Sequence, residues 1–425
     1  MNRISKLLVL CAAAAVTLPV AASAQTSRVA GMALQGDYIK DYTGIYTYLS
    51  GVPNVGNLVY GELGSDLAST DDRAVGAVLG NLGEGRYGTW GIHLRQQTPN
   101  LGQGDGSSEG VPGVGADPNF HTNESFDLMW GRKFGTSSLG LRLNRSFMGL
   151  EFDNGILGAG TLGTLEYDLQ GGVPDPAAAN LQRNIWGFGA GYGMELSPTS
   201  QLEFSVLYQT RTYEISDTLG ATAEEDGPTT YQIAARAWWQ WQPNVVVVPV
   251  FKWYSYDLST VDPVAGTDDN SLTGWQVGAA GNWTLGSNDL FVLGVAFGGN
   301  NVDQEATVIG IPSPIGTVST VGEINETYMP LVFAALETHV NNWLTLRFGA
   351  NKMAFHHAKI EDNTVPGTFE FSDSPFNMSI GAGVKVGTLQ LDAVVNDDFP
   401  RNGLYLFSGA VTTSLFPKVT ATYSF

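Results

Sequence analysis

The chain has 425 residues, with 41 acidic against 21 basic side chains, a net charge of −20 and 53 glycines. Only 15% of residues are charged while 11% are aromatic, a balance that suits neither a nucleic-acid binder, which needs a basic patch, nor an ordinary soluble α/β enzyme. Beyond the first two dozen residues no run of about 18 apolar residues occurs, which excludes a helical membrane protein.

Residues 1–24 have the pattern of a secretory signal peptide: Arg3 and Lys6 at the start, an apolar run from Leu7 to Val20, and Ala22-Ser23-Ala24 as a small-residue cleavage site. Its removal takes away Cys11, the only cysteine, so the exported chain is expected to be held by backbone ladders and packing without disulfides. Residues 25–57 lack strand alternation and are expected to form an N-terminal segment distinct from the rest of the chain. From 58 to 425 the chain reads as strand after strand.

About 16 segments carry strand character. They run 58–63, 74–82, 86–97, 125–134, 138–147, 184–196, 201–214 and 229–242, then 244–256, 272–285, 289–298, 326–340, 344–356, 376–386, 389–397 and 416–425. Several alternate cleanly: Leu139, Leu141 and Leu143 oppose Gly140, Arg142 and Asn144, and Leu202, Phe204, Val206 and Tyr208 oppose Gln201, Glu203, Ser205 and Gln209. The connections alternate as well. Tight turns such as Gly83-Glu84-Gly85, Gly135-Thr136-Ser137 and Gly387-Thr388 separate long acidic stretches such as 98–124, 148–183, 299–325 and 357–375. Half-apolar strands with short turns at one end and long loops at the other are the pattern of a transmembrane β-barrel. The fold class expected is therefore all-β: an antiparallel barrel of about 14–16 strands, preceded by a plug-like segment. Tryptophans near the short turns (Trp241, Trp283, Trp343) and near the long loops (Trp186, Trp253, Trp275) would make two aromatic girdles.

The last stave, Lys418 to Phe425, puts Val419, Ala421, Tyr423 and Phe425 on one face. Its ending resembles the C-terminal assembly signal of bacterial outer-membrane barrels, which makes Tyr423 and Phe425 the candidate signal and the barrel-assembly machinery an expected partner. Outer-membrane lipid and lipopolysaccharide are the others, with the C-terminus on the periplasmic side. The acidic loops would form a crown at the opposite mouth, concentrating cations or bridging to anionic surface lipid through Asp262, Asp268, Asp269 and Asn270, unless they serve only solubility.

Motifs of enzymes do not hold up. Gly106-Ser107-Ser108-Glu109-Gly110 spells a hydrolase elbow without its strand and helix, and Gly158, Gly160 and Gly163 spell a dinucleotide fingerprint without its βαβ frame. His356 and His357, adjacent on a strand, point to opposite faces and make a poor metal site. Neither a cofactor nor a metal is expected, nor catalysis.

Three other features stand out. Gly187, Gly189, Gly191 and Gly193 form a complete strand face, bare backbone that either lets a plug approach or permits a sharply coiled strand. Pro249 and Pro330 interrupt wall strands, giving candidate lateral gaps or plain bulges. Arg142, Glu203, Arg236, Arg347, Lys385 and Asp392 point inward by alternation, as pore lining or as mutual pairs.

The stretch Gly31-Met32-Ala33-Leu34, followed by Asp41-Tyr42-Thr43-Gly44-Ile45-Tyr46, resembles the N-terminal hatch of the outer-membrane long-chain fatty-acid transporter superfamily. Tyr48-Leu49-Ser50-Gly51 stands where that family has Asn-Pro-Ala-Gly. The resemblance implies a plugged barrel that takes up hydrophobic compounds and releases them sideways through a kinked wall. The residues leave a second reading open, an open cation-preferring diffusion porin, and a third, a structural or secretion-accessory barrel.

Overall fold

A computed structural model describes residues 27–64, 73–95, 124–151, 178–217, 222–257, 260–262, 266–286, 288–308, 318–362, 368–395, 416 and 418–425. The signal peptide, the two discarded glycine motifs and most of the expected acidic crown lie outside these residues.

The wall runs β1 (Leu58–Gly64), β2 (Arg73–Leu82), β3 (Gly88–Arg95), β4 (Glu124–Phe134), β5 (Ser137–Glu151), β6 (Ala178–Ser197), β7 (Ser200–Asp217), β8 (Thr222–Gln242), β9 (Val245–Asp257) and β10 (Thr260–Asp262). It continues with β11 (Gly266–Leu285), β12 (Asp289–Val308), β13 (Val318–His339), β14 (Leu344–Met353), β15 (His356–Asp362), β16 (Thr368–Asp373), β17 (Phe376–Val386), β18 (Leu389–Val395) and β19 (Lys418–Ser424). Each strand pairs antiparallel with its neighbours. Because β10 extends β9, β14 and β15 share one stave, and β16 and β17 share another, the 19 strands make a closed barrel of 16 staves. Closure is made by β1, which pairs with β2 on one side and β19 on the other.

The exterior is an apolar band. Along β3, Trp90, Ile92 and Leu94 are exposed while Thr89 and His93 are buried, and β4, β7 and β12 repeat the alternation. Trp241 and Trp343 sit exposed beside short turns, and Trp186 and Trp275 sit exposed toward the other end. Lipid takes the place of water on this face, which is why large apolar side chains are stable there.

Strands extend beyond the expected ends. The stretches 299–325 and 357–375, expected as loops, contain the end of β12, the start of β13, all of β15 but its first residue, and the whole of β16. The ladder continues past the segments in which the sequence alternates at length, so the period-2 hydrophobic signal ends before the backbone pairing does.

The N-terminal segment folds inside the wall. It comprises a single helical turn α1 (Ser27–Ala30) and three 3-10 turns, η1 (Gly36–Tyr38), η2 (Tyr42–Tyr46) and η3 (Leu49–Asn54). Asp41 caps η2, its carboxylate accepting from the Thr43 backbone N–H at 3.2 Å and from the Thr43 hydroxyl at 2.6 Å. Val29, Met32, Leu34, Tyr38 and Ile39 pack against inward-facing Val248, Val250, Val292, Leu331 and Phe333. Ile45, Tyr46 and Val52 pack against Leu58, Tyr60, Val78 and Met129. The inner face is therefore apolar where the plug covers it, not uniformly water-facing as strand alternation alone suggests. The run Val245 to Phe251 is hydrophobic on both faces because it has lipid outside and plug inside.

A charge on the outer face at mid-wall should be costly. Replacing Val295, exposed on β12, with arginine is expected to destabilise the barrel by about 2–4 kcal/mol, and Trp241→Arg at the rim by about 0–1 kcal/mol. Denaturant unfolding in lipid vesicles measures both.

Candidate functional site: a plug latched to the barrel wall

The glycine face of β6 is where the plug touches backbone. A Cβ at Gly189 would lie 2.7 Å from Leu49 Cδ1, one at Gly191 2.8 Å from the Ser50 nitrogen, and one at Gly193 2.9 Å from Ser50 Cβ. Gly187 faces Asn144 and Gln209 instead, each 3.0 Å away. The same close approach recurs at Gly140, whose Cβ would overlap the Leu49 carbonyl, and at Gly349, whose Cβ would overlap that of Met32.

Three polar latches hold the plug. In the first, Arg28 forks onto Glu337 (Nε–Oε2 2.8 Å, Nη2–Oε1 2.9 Å) and reaches Asp41 at 3.2 Å. Arg347 donates to the same Glu337 Oε2 at 2.7 Å and to Asp392 at 2.6 Å. Ser27 adds a backbone N–H to Thr420 Oγ1 at 3.1 Å. In the second latch, Arg236 pairs with Glu203 at 2.5 Å and donates to the Asp37 carbonyl at 3.2 Å. Its guanidinium lies 3.8 Å over the Tyr48 ring, and Lys252 pairs with the Asp37 carboxylate at 2.6 Å. In the third, Arg142 pairs with Asp127 at 2.8 Å and donates to the Tyr46 carbonyl at 3.1 Å. His93 lies within 3.6 Å of that Asp127, under the Tyr46 ring. All these wall groups except the half-buried Lys252 are buried, and a buried charge is tolerable only when paired and hydrogen-bonded.

Of the inward charges expected from alternation, Arg142, Glu203, Arg236, Arg347 and Asp392 are thus tied to the plug or to one another. Lys385 is exposed and lines a cavity of about 770 Å³ at the short-turn end. Around this vestibule stand Arg28, Asp41, Asp289, Glu337, Arg347 and Asp392, a densely charged wall. Asp127, Glu337 and Lys252, and the plug residues Arg28 and Asp37, are the partners that sequence reasoning did not single out; Asp41 it quoted only as part of the hatch-like stretch. The same period-2 alternation would have found the first two.

The wall prolines differ in consequence. At Pro249 the β8–β9 register is the same on either side, Arg236 opposite Val250 and Trp239 opposite Val247, with the positions between them unbridged. At Pro330 three staves kink together. β13 changes partner from β15 to β14, the second stave breaks at Ala354-Phe355 and the third at Ser374-Pro375. Backbone hydrogen bonds span the kink, from Met329 N–H to the Phe355 carbonyl and from Ala354 N–H to the Pro330 carbonyl, both 2.9 Å. His356 is buried inside next to this kink, 2.5 Å from Asp373, while His357 is exposed outside. Asp262 ends β10, and Asp268, Asp269 and Asn270 lie on β11, at the end away from the short turns. Tyr423 and Phe425 are exposed beside the closing seam, where the Phe425 N–H reaches the Asn57 carbonyl at 3.3 Å.

Removing Arg236 alone strands a buried carboxylate. Arg236→Met is expected to destabilise the folded protein by about 3–5 kcal/mol, and Glu203→Met added to it to recover much of the loss. Denaturant midpoints of the single and double variants decide this.

No protein-family model matches the chain, and no curated protein matches it. Among solved structures, a Pseudomonas aeruginosa FadL homologue aligns at 11% identity and TM-score 0.39, covering 94% of this chain and 98% of that one. The CymD monoaromatic hydrocarbon channel aligns at 10% and 0.37, covering 96% and 99%. The ferric-catecholate import receptor Fiu from E. coli K12 aligns at 8% and 0.35, covering 87% and 74%. At these values the likeness carries no argument about family or cargo. The closed register, the apolar exterior and the seated segment make the chain a transmembrane β-barrel with its own N-terminal plug.

Proposed function

We propose that this protein is a plugged outer-membrane channel for passive uptake of hydrophobic or amphipathic small molecules, with its short turns and C-terminus on the periplasmic side. The observation that carries the reading is the plug itself, seated on bare wall backbone and held by three polar latches. A lumen filled in this way is a poor aqueous pore, so the open cation-preferring porin is the weaker alternative. Beyond the plug, inward-facing Tyr254, Tyr256, Tyr328 and Leu272 alternate with Gln232 and Asn300, the mixture of apolar area and few polar groups that suits an amphipathic ligand.

The exit is set by charge. The vestibule below the plug is lined by ionic side chains, an unfavourable path for an apolar cargo. The three-stave kink at Pro330 offers a sideways route to lipid instead, with Met329 and Phe355 exposed on its outer side. The mature chain is read as residues 25–57, the plug, and 58–425, the wall.

Single-channel conductance of the refolded mature protein tests the plug. Wild type should be silent or show rare small openings, and deletion of residues 26–50 should give large steady ones. Large openings in the wild type would make the protein a diffusion porin. Replacing Pro330 with valine is expected to slow hydrophobic uptake several-fold without opening the pore; wild-type uptake in Pro330→Val and Pro249→Val alike would rule out a lateral route.

A further inference from the structure

The hairpin joining β2 to β3 is built in an unusual way. Gly83, Glu84, Gly85 and Gly88 all have left-handed backbone, with φ of 60°, 57°, 85° and 74°. Glu84 is one of only two non-glycine residues with positive φ among the described ones, a conformation that disfavours a side chain. The fold of this turn is fixed by backbone bonds from Arg86 N–H to the Gly83 carbonyl and from Tyr87 N–H to the Leu82 carbonyl, both 3.1 Å. It brings the Tyr87 carbonyl outward, where it accepts the indole N–H of both Trp90 and Trp130 at 3.0 Å. Those two tryptophans are cross-strand partners on β3 and β4.

Cations frame this aromatic pair. Arg132 comes two positions after Trp130 on the outward face of β4, its guanidinium 5.4 Å from the Phe134 ring. Arg86 lies 5.6 Å from the Tyr87 ring. Both arginines are exposed, and neither forms a salt bridge among the described residues, whereas neighbouring Lys133 is 4.0 Å from Glu195. In a chain of net charge −20, two arginines stand beside one preorganised aromatic pair, with Glu84 the one acidic side chain of the same turn. The turns at 197–200 and 242–244 carry neither lysine nor arginine.

We infer that this rim is a binding site for the phosphodiester headgroup of an anionic phospholipid in the leaflet that meets the short-turn end. Arg86 and Arg132 hold the phosphate, which a guanidinium binds with paired N–H donors. Trp90 and Trp130, their indole N–H groups already satisfied by Tyr87, seat the glycerol and the upper acyl chains. The source is lipid and not free phosphate because the cations stand on the lipid-facing side, among exposed Tyr87, Trp90 and Phe134. The tight turn fixes the backbone at Arg86 and Tyr87, so the ordering left to binding is that of the side chains.

Native mass spectrometry of the refolded mature chain, exchanged into detergent with equal phosphatidylglycerol and phosphatidylcholine, tests the site. Wild type should retain phosphatidylglycerol over phosphatidylcholine by about tenfold. Arg86→Gln/Arg132→Gln should lose that preference, and Lys385→Gln, at the same end in another sector, should keep it. Folding of each variant is checked by heat-modifiable migration. If the double variant does not fold, wild-type tryptophan quenching by brominated phosphatidylglycerol against brominated phosphatidylcholine reads the same preference. Equal retention of the two lipids by wild type, an unchanged preference in the double variant, or displacement of phosphatidylglycerol by equimolar inorganic phosphate would overturn the inference.

Discussion

Every backbone N–H and C=O within lipid must find a partner in the protein, and this requirement shapes all the rest. A sheet meets it only by closing on itself, and here closure falls to β1, seven residues bridged to β2 on one side and β19 on the other. The chain reaches β1 directly from the plug. The plug is therefore covalently continuous with the closing stave, and its C-terminal end is anchored at the seam where the first and last strands meet.

Closing a barrel of 16 staves leaves a lumen that must be filled with water or with protein. In the short-turn half this chain fills it with its own N-terminus, and the wall is adapted to that occupant. Where the plug lies flat, the wall gives up side chains altogether at Gly140, Gly189, Gly191, Gly193 and Gly349. Where the plug is apolar the wall presents valine, leucine and phenylalanine, and where it is polar the wall presents paired charges. Buried ion pairs of this kind add little net stability over an apolar core, but they tolerate few alternative placements of the plug. They also make its seating separable into pieces, since Arg28, Asp37 and the Tyr46 carbonyl are held by different sectors of the wall.

Much of the wall was legible in the sequence. All 16 expected segments correspond to staves because a half-lipid, half-interior strand writes its two faces into alternate residues. The seven short turns were equally plain from glycine, proline, asparagine and serine. Strand ends beyond the membrane were not, because the consecutive polar residues Asp303, Gln304 and Glu305 on β12 interrupt the alternation while the ladder continues through them. The six inward charges were visible by parity, but their partners on the plug were not. Arg236 meets Glu203 across one ladder and Asp37 across some 200 residues, and nothing local encodes the second.

The amino-acid pattern by itself therefore determined the fold class and the distinct character of residues 25–57, since each rests on local periodicity and composition, while the closing register fixed the stave number at 16. What only the tertiary structure decided is where that N-terminal segment goes. The glycine face of β6 was compatible with a plug or with a coiled strand. The choice depends on contacts between residues far apart in the chain: Leu49 on Gly140 and Gly191, and Arg28 on Glu337. Such contacts form only when the closed wall brings distant staves around a common interior, and neither the pairing nor the burial that stabilises it is written in any one stretch of sequence.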